Sequence, residues 1–562
     1  MAVRGKTTGP PDYIGVGAQR SGTSWWYATM LGHPQIAPPG RRPPTGRWLE
    51  AVRATKELHF FNEFRVREML AEDVAAYHEL FPREEGQVVG EWTPRYMRDF
   101  WTPRLLHRAA PDARLLVLVR DPLERFRSGV VHTLRAAPEQ GREVVATDAI
   151  DRGRYATQLM RLRSYFPDER ILVLQYERCR SDPLTEYRRM LRFLGVADDH
   201  EPDFGRTLGR PTELEKEEVA PGLVEAIQST LEPEVRQLCA LVPEIDLSLW
   251  PSFEYLADGH DRARPPGGAT STSAPRTRTG RGGRAAPPDF VGVGAPGCQA
   301  EWWHGRLLEH PAIQAPRGRR GALHFFDEFC TRDMNDADVA AYHELFERPA
   351  GAIGGEWTAR YMHDAWTPAL LRRAAPEARL LVMVSDPIER YRFRLPRTLP
   401  VDETEPALDP AGPGRYASQL APLFELFGGD RILVLQTERC IADPLGEYGR
   451  TVRFLGVADD FRPRRLRKQA EPYTPPVEGR WQPWLRRLAR RPVAAQPRDP
   501  WPDLLESLHR DLDPEVEALA AMVPELDLSL WPNFAHLARG ARIRPSASLQ
   551  PPGASSRPAP LA

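Results

Sequence analysis

Tyr13-Ile-Gly-Val-Gly-Ala-Gln-Arg-Ser-Gly-Thr-Ser-Trp-Trp26 passes from an apolar run through a small-residue turn into a Trp-rich segment. The same order returns as Phe290-Val-Gly-Val-Gly-Ala-Pro-Gly-Cys-Gln-Ala-Glu-Trp-Trp303. An apolar run, a Gly-rich turn and a helical start read as strand, loop and helix N-terminus. In the first version the turn offers Arg20, hydroxyls and free backbone N–H groups at a helix start, a combination that suits a phosphate. In the second, Pro296 removes an amide, Glu301 adds negative charge, and the arginine and hydroxyls are gone.

The correspondence extends along the whole chain. Lys56-Glu-Leu-His-Phe-Phe61 matches Gly321-Ala-Leu-His-Phe-Phe326, and Gly90-Glu-Trp-Thr-Pro-Arg-Tyr-Met97 matches Gly355-Glu-Trp-Thr-Ala-Arg-Tyr-Met362. Ala113–Pro122 pairs with Ala378–Pro387, Arg170–Gln175 with Arg431–Gln436, and Val242–Pro251 with Val523–Pro532. Units this long are domains rather than solenoid repeats. The expected boundaries are a first unit at 10–256, a Pro/Gly/Ser/Arg-rich disordered linker at 257–288, a second unit at 289–537 and a disordered tail at 538–562. The short apolar runs Tyr13–Val16, Leu115–Val119 and Ile171–Leu174 read as buried parallel strands. They alternate with helical patterns such as Val74–Phe81 and Leu184–Leu194. The expectation is an α/β fold: two tandem domains, each a mostly parallel sheet flanked by helices. In such sheets ligands bind beyond the carboxyl ends of strands, where the Ala18–Ser24 turn and Arg120 both fall.

With 562 residues, each half is long enough for its own core. The formal net charge of −1 gives no bulk electrostatic attraction to nucleic acid or anionic membrane, and neither is expected as a partner. The five cysteines are an odd number, scattered without a C-x-x-C pair, so neither a zinc cluster nor a disulfide framework is indicated, and no metal is expected. No apolar run approaches membrane-spanning length and no leader-like apolar stretch opens the chain, which makes the cytoplasm the expected compartment.

Gly17-Ala-Gln-Arg-Ser-Gly-Thr-Ser24 has the outline of a Walker A loop but carries Thr23 in place of its lysine, which disfavours a nucleotide triphosphatase. Arg20-Ser-Gly-Thr-Ser-Trp25, followed by Arg120 at a later strand end and Ser128 eight residues on, resembles the sulfotransferase superfamily that uses 3′-phosphoadenosine 5′-phosphosulfate (PAPS). The closest flavour is the carbohydrate type and its bacterial relatives. The resemblance implies that Arg20, Ser21, Gly22, Thr23, Ser24 and Trp25 hold the 5′-phosphosulfate and that Arg120 and Ser128 grip the 3′-phosphate. It further places Tyr155 and Arg210 near the nucleotide. Lys56-Glu57-Leu58-His59-Phe60-Phe61 is similar to the family's K-E-x-H-[FY]-F motif, which implies Glu57 as general base, His59 as its support and Lys56 at the substrate. Glu91-Trp-Thr-Pro-Arg-Tyr96 departs from the family's E-K-[ST]-P-x-Y. There Trp92 replaces a lysine that contacts the acceptor, with Arg95 as partial compensation.

The internal comparison separates chemistry from architecture. His59, Trp92, Arg95, Tyr96 and Tyr155 recur in the second unit. Arg20, Ser21, Thr23, Ser24, Lys56, Glu57, Arg120 and Ser128 become Gly297, Cys298, Ala300, Glu301, Gly321, Ala322, Ser385 and Arg392 or an adjacent residue. The reading is a PAPS-dependent O-sulfotransferase acting on a small-molecule hydroxyl of a carbohydrate or glycosylated secondary metabolite, releasing adenosine 3′,5′-bisphosphate. The second unit is a degenerate copy packed on the first as an intramolecular pseudo-dimer. The alternative is a non-catalytic nucleotide- or carbohydrate-binding scaffold.

Overall fold

The structure is a computed structural model that describes residues 7–40, 56–65, 67–136, 142–204, 219–257, 285–318, 321–394, 412–464 and 502–540. Most of the expected linker and tail, and residues 41–55, lie outside the described residues. Two five-stranded sheets organise the chain. The first contains β1 (Tyr13–Gly17), β2 (Ile36–Ala37), β3 (Val88–Trp92), β4 (Arg114–Val119) and β5 (Ile171–Gln175), in the order β2-β3-β1-β4-β5 with every neighbour parallel. The second contains β6 (Phe290–Gly294), β7 (Ile313–Gln314), β8 (Ile353–Trp357), β9 (Arg379–Val384) and β10 (Ile432–Gln436), in the equivalent order β7-β8-β6-β9-β10. Register agrees too: Ile14 pairs with Glu91 where Val291 pairs with Glu356.

The apolar runs become central strands because both faces are covered. In β4, Leu116 and Leu118 enter one core with Trp26, Tyr27 and Trp92, while Leu115, Val117 and Val119 enter the other. The glycines of β1 have a packing reason. A Cβ at Gly15 would lie 2.1 Å from the Trp92 ring, and one at Gly17 would lie 1.7 Å from the Met97 sulfur. Gly292 and Gly294 clear the same space for Trp357 and Met362.

Four helices of the first half set the site and the contact with the second: α1 (Thr23–Met30), α2 (Pro122–Ala136), α3 (Arg142–Asp151) and α4 (Tyr155–Arg163). One cluster of buried apolar residues runs through both halves, while the core around Trp26 and Trp92 belongs to the first half alone. Phe100 meets Tyr391 edge to face at 5.9 Å, and Thr147 of α3 donates to Asp364 Oδ1 at 2.8 Å. The buried Asp511 is gripped by Arg161 from the first half and by Arg415 from its own.

Candidate active site

The turn after β1 enters α1 through two left-handed residues, Arg20 at φ 68° and Gly22 at φ 85°. Gly22 is required twice over, since a Cβ there would also lie 2.5 Å from the Tyr176 ring. As the helix cap it supplies no side-chain acceptor, so the first N–H groups of α1 keep their donors for an external anion. Arg20 Nε, Gln19 Oε1 and Trp25 Nε1 are buried in the same turn without hydrogen-bond partners. A cluster of orphaned polar atoms at an uncapped helix start is what a site for a bound phosphate or sulfate group leaves behind.

Several cations surround this turn. Burial, then the nearby Arg120 guanidinium, presses the Arg20 pKa down, with Glu57 opposing and Arg125 adding to the effect. Arg20 runs along α2, where its Cγ lies 4.0 Å from the Cβ position of Gly129, the residue after Ser128. Arg120 sits at the end of β4 with its guanidinium 5.1 Å from the centre of the Tyr176 ring. Tyr155 is buried and donates to the Arg120 carbonyl at 3.0 Å, so it positions the strand end rather than facing a ligand. Lys56 is 2 % exposed and donates to Thr23 Oγ1 at 3.1 Å and to Glu57 Oε1 at 2.6 Å. It therefore belongs to the anion turn as much as to the substrate side.

Glu57 is the half-buried centre of a short chain. Its second oxygen lies 3.3 Å from His59 Nε2, and His59 Nδ1 is 3.2 Å from Asn62 Nδ2. With the Asn62 amide donating to Nδ1, the imidazole proton sits on Nε2 and faces Glu57. Burial by itself raises the Glu57 pKa, but the His59 hydrogen bond and the charge and hydrogen bond of Lys56 outweigh it and hold the carboxyl at about 2. The loop carrying Glu57 is fixed from beneath by Glu91. That buried carboxylate accepts from Tyr77 at 2.8 Å, Thr93 at 2.6 Å and the Leu58 N–H at 3.2 Å. Burial raises its pKa against these bonds. Glu356 repeats this brace in the second half with Tyr342 and Thr358.

The second half keeps the backbone and loses Arg20, Lys56, Glu57 and Arg120, while Arg390 stands opposite Arg125 and donates to the Pro296 carbonyl. Gly297 and Gln299 take the same left-handed conformations, φ 86° and 64°, as Arg20 and Gly22. Cys298, opposite Ser21, is buried and contacts Ser385 Oγ at 3.2 Å and Tyr416 Oη at 3.4 Å, closing the place where Arg120 begins in the first half. Thr437 stands opposite Tyr176 and donates to the Cys298 carbonyl at 2.9 Å. Asn62 becomes Asp327, whose carboxylate bonds His324 Nδ1 at 2.9 Å and raises that histidine's pKa.

Two expected site residues have other duties. Trp92 is fully buried, its ring over Gly15 and its indole N–H donating to the Gly17 carbonyl at 3.2 Å, so it is core and does not reach an acceptor. Arg95 is buried and tied to Asp99 at 2.7 Å, which removes it as a stand-in for the missing lysine. Ser21 is buried beside the Tyr155 hydroxyl, Ser24 is exposed at the first turn of α1, and Ser128 is half-buried on α2. Arg210 lies outside the described residues. Sequence reasoning missed Arg125 and Tyr176. Arg125 is spaced like an ordinary helix residue, yet it is fully buried with its guanidinium donating to the Ala149 carbonyl of α3. Tyr176 carried a readable signal, its replacement by Thr437. Glu177 and Glu438 are structural, accepting from Trp250 and Trp531 at 2.8 and 2.9 Å.

Residues 11–200 match the model of the Sulfotransferase family. That stretch of the amino-terminal half is similar to the family. Among curated relatives, the chain is similar to human heparan sulfate glucosamine 3-O-sulfotransferase 6, 30% identical over 217 residues covering 36% of this chain and 58% of the relative. Mouse heparan sulfate glucosamine 3-O-sulfotransferase 3A1 is also 30% identical, over 218 residues covering 36% of this chain and 50% of the relative. The chain thus spans between half and three fifths of the length of these relatives. A solved sulfotransferase from Alicyclobacillus acidocaldarius is 27% identical, covering 43% of this chain and 98% of its own, with a TM-score of 0.34. Among the described residues, no helix is long and apolar enough to cross a membrane.

Proposed function

We propose that the chain is a PAPS-dependent O-sulfotransferase whose chemistry is performed by the amino-terminal half. The supporting observation is the convergence of Arg20, Lys56, Glu57 and Arg120 on one uncapped helix start, with all four absent from a second half of the same backbone. Sulfuryl transfer to a hydroxyl requires alignment, a proton acceptor and positive charge where the leaving phosphate gathers negative charge. Bound PAPS would supply the activated sulfuryl group. The N–H groups of Thr23, Ser24 and Trp25, together with Arg20, would hold its 5′ end, and Arg120 and Ser128 its 3′-phosphate. Glu57, kept ionised, takes the acceptor proton, and His59 fixes the direction of the oxygen that Lys56 does not hold. Lys56 controls the basicity of Glu57. Negative charge at the turn that draws the ammonium toward Thr23 weakens its hold on the carboxylate.

The acceptor is a hydroxyl on a carbohydrate or glycosylated metabolite, a reading supported by the sugar hydroxyl in the relatives' names. The second half serves as an inert partner, and the two form an intramolecular pseudo-dimer. The test is transfer from labelled PAPS to a panel of hydroxyl acceptors that includes heparan-type oligosaccharides. Glu57→Gln is expected to lower turnover by about 10²–10⁴-fold while leaving the affinity for adenosine 3′,5′-bisphosphate unchanged. Undiminished turnover in that variant removes Glu57 as the base, and failure of the wild type to bind the bisphosphate removes the reading altogether.

A further inference from the structure

His509, Asp513 and His536 gather two imidazoles and a carboxylate on the second half, away from the turn described above. His509 and Asp513 lie four residues apart on α5 (Pro502–Met522), a spacing that puts both on one face. His536 reaches them from α6 (Ala535–Gly540). His509 Nδ1 is 3.1 Å from Asp513 Oδ1, and His536 Nε2 is 3.0 Å from Asp513 Oδ2. The three donor atoms lie within 4.8 Å of one another. The imidazole centres are 5.3 Å apart, and Phe534 backs both, 5.5 Å from His509 and stacked at 6.3 Å from His536.

The first half shows what this corner needs for folding alone. Counting from the shared Leu-Ser-Leu-Trp-Pro, Gln228, Glu232 and Tyr255 occupy the three positions. There Tyr255 donates to Glu232 Oε2 at 2.9 Å, and the Gln228 amide donates to the Ser252 carbonyl at 2.6 Å. An ordinary hydrogen-bonded brace therefore suffices for the architecture. The second half, while losing the anion turn, has replaced every member of that brace with a side chain able to ligate a metal.

We propose that His509, Asp513 and His536 form a binding site for a late first-row divalent cation, with zinc as the test ion. Imidazole with a single carboxylate favours this class over magnesium or calcium, which prefer all-oxygen shells. Bonds of about 2.0–2.2 Å at tetrahedral angles separate neighbouring donors by about 3.3 Å. The imidazoles now address different oxygens of Asp513, and one donor atom from each residue already lies within 4.8 Å of the others, so small side-chain rotations bring the three to that spacing. Three protein donors leave a fourth position for water. Binding displaces the imidazole protons that now face Asp513. The ion would clasp the short α6 onto α5.

The full-length chain, stripped with chelator, is titrated with zinc by calorimetry and with cobalt by visible absorption. One saturable ion per chain, cobalt bands of a low-coordinate nitrogen/oxygen site and a higher unfolding temperature with zinc support the site. The triple variant His509→Gln, Asp513→Glu, His536→Tyr installs the first half's own brace. It should fold and should bind zinc at least tenfold more weakly, since even partners hydrogen-bonded to ligands cost about 10–100-fold when removed. The single variant His536→Tyr, at a half-exposed position, carries the test if the triple variant does not fold. Equal zinc binding by wild type and variants, or no saturable uptake of either ion by the wild type, overturns the proposal and leaves a metal-free hydrogen-bonded triad.

Discussion

Arg20→Gly installs the residue that the second half carries at the same left-handed position, and it should make the protein more stable while emptying it of function. A non-glycine residue at φ 68° costs about 1–2 kcal/mol. The buried, unpartnered Nε adds about 1–3 kcal/mol. Burial and the neighbouring Arg120 and Arg125 oppose the charge as well, as the lowered pKa of Arg20 records. Against these gains, glycine loses about 0.5–1 kcal/mol through its freer unfolded chain. The net expectation is a stabilisation of about 1–4.5 kcal/mol, visible as a later midpoint in urea with an unchanged slope. Losing one charge-assisted hydrogen bond to a phosphate costs about 1.5–3 kcal/mol, which is roughly 10- to 150-fold in the dissociation constant for adenosine 3′,5′-bisphosphate measured by calorimetry. A variant that is less stable than wild type and binds the bisphosphate equally well would refute the reasoning. Arg20 would then be a structural residue, and its conformation would have nothing to do with a ligand.

Other expectations follow from the same geometry. Lys56→Ala should let the Glu57 pKa climb from about 2 toward or past its ordinary 4.5. The acid limb of the rate profile then enters the measurable range, with activity falling below about pH 5; a variant whose pH profile stays flat there contradicts the Lys56–Glu57 coupling. Trp92→Ala should cost about 3–5 kcal/mol of stability without changing acceptor KM in the folded fraction, and a selective KM effect would return Trp92 to the substrate site. Burial lifts the Asp364 pKa to about 6 against Arg360 and Thr147. Because the folded state holds this proton more tightly than the unfolded chain, the stabilisation is complete below about pH 4 and is lost as pH rises through 6. That amounts to about 3 kcal/mol. In denaturant titrations Asp364→Asn should abolish this part of the pH dependence, and parallel wild-type and variant curves would exclude it.

The amino-acid order alone determined the strands, the anion turn, the Lys56-Glu57-x-His59 element and the loss of both in the second half. These are local: a run of apolar residues, a helix start and a charged triplet are each written in consecutive positions. The parallel sheets followed from the strand–helix alternation, whereas the strand order within them came only with the fold. What only the tertiary structure decided is which side chains reach which partner. Trp92 points into the core because Gly15 leaves room for its ring and the carbonyl of Gly17, 75 residues earlier, accepts its indole N–H. Arg95 is neutralised by Asp99, four residues onward, instead of reaching across to an acceptor. Lys56 bridges the turn and the base, and Arg125 joins the cationic cluster through a helix whose spacing gives no hint of it. The fit of Tyr176 to a Cβ-free Gly22, exchanged for Thr437 beside Gln299, is likewise a matter of volume across chain segments. Charge pairing and close packing depend on distances between residues far apart in sequence, and no spacing along the chain encodes them.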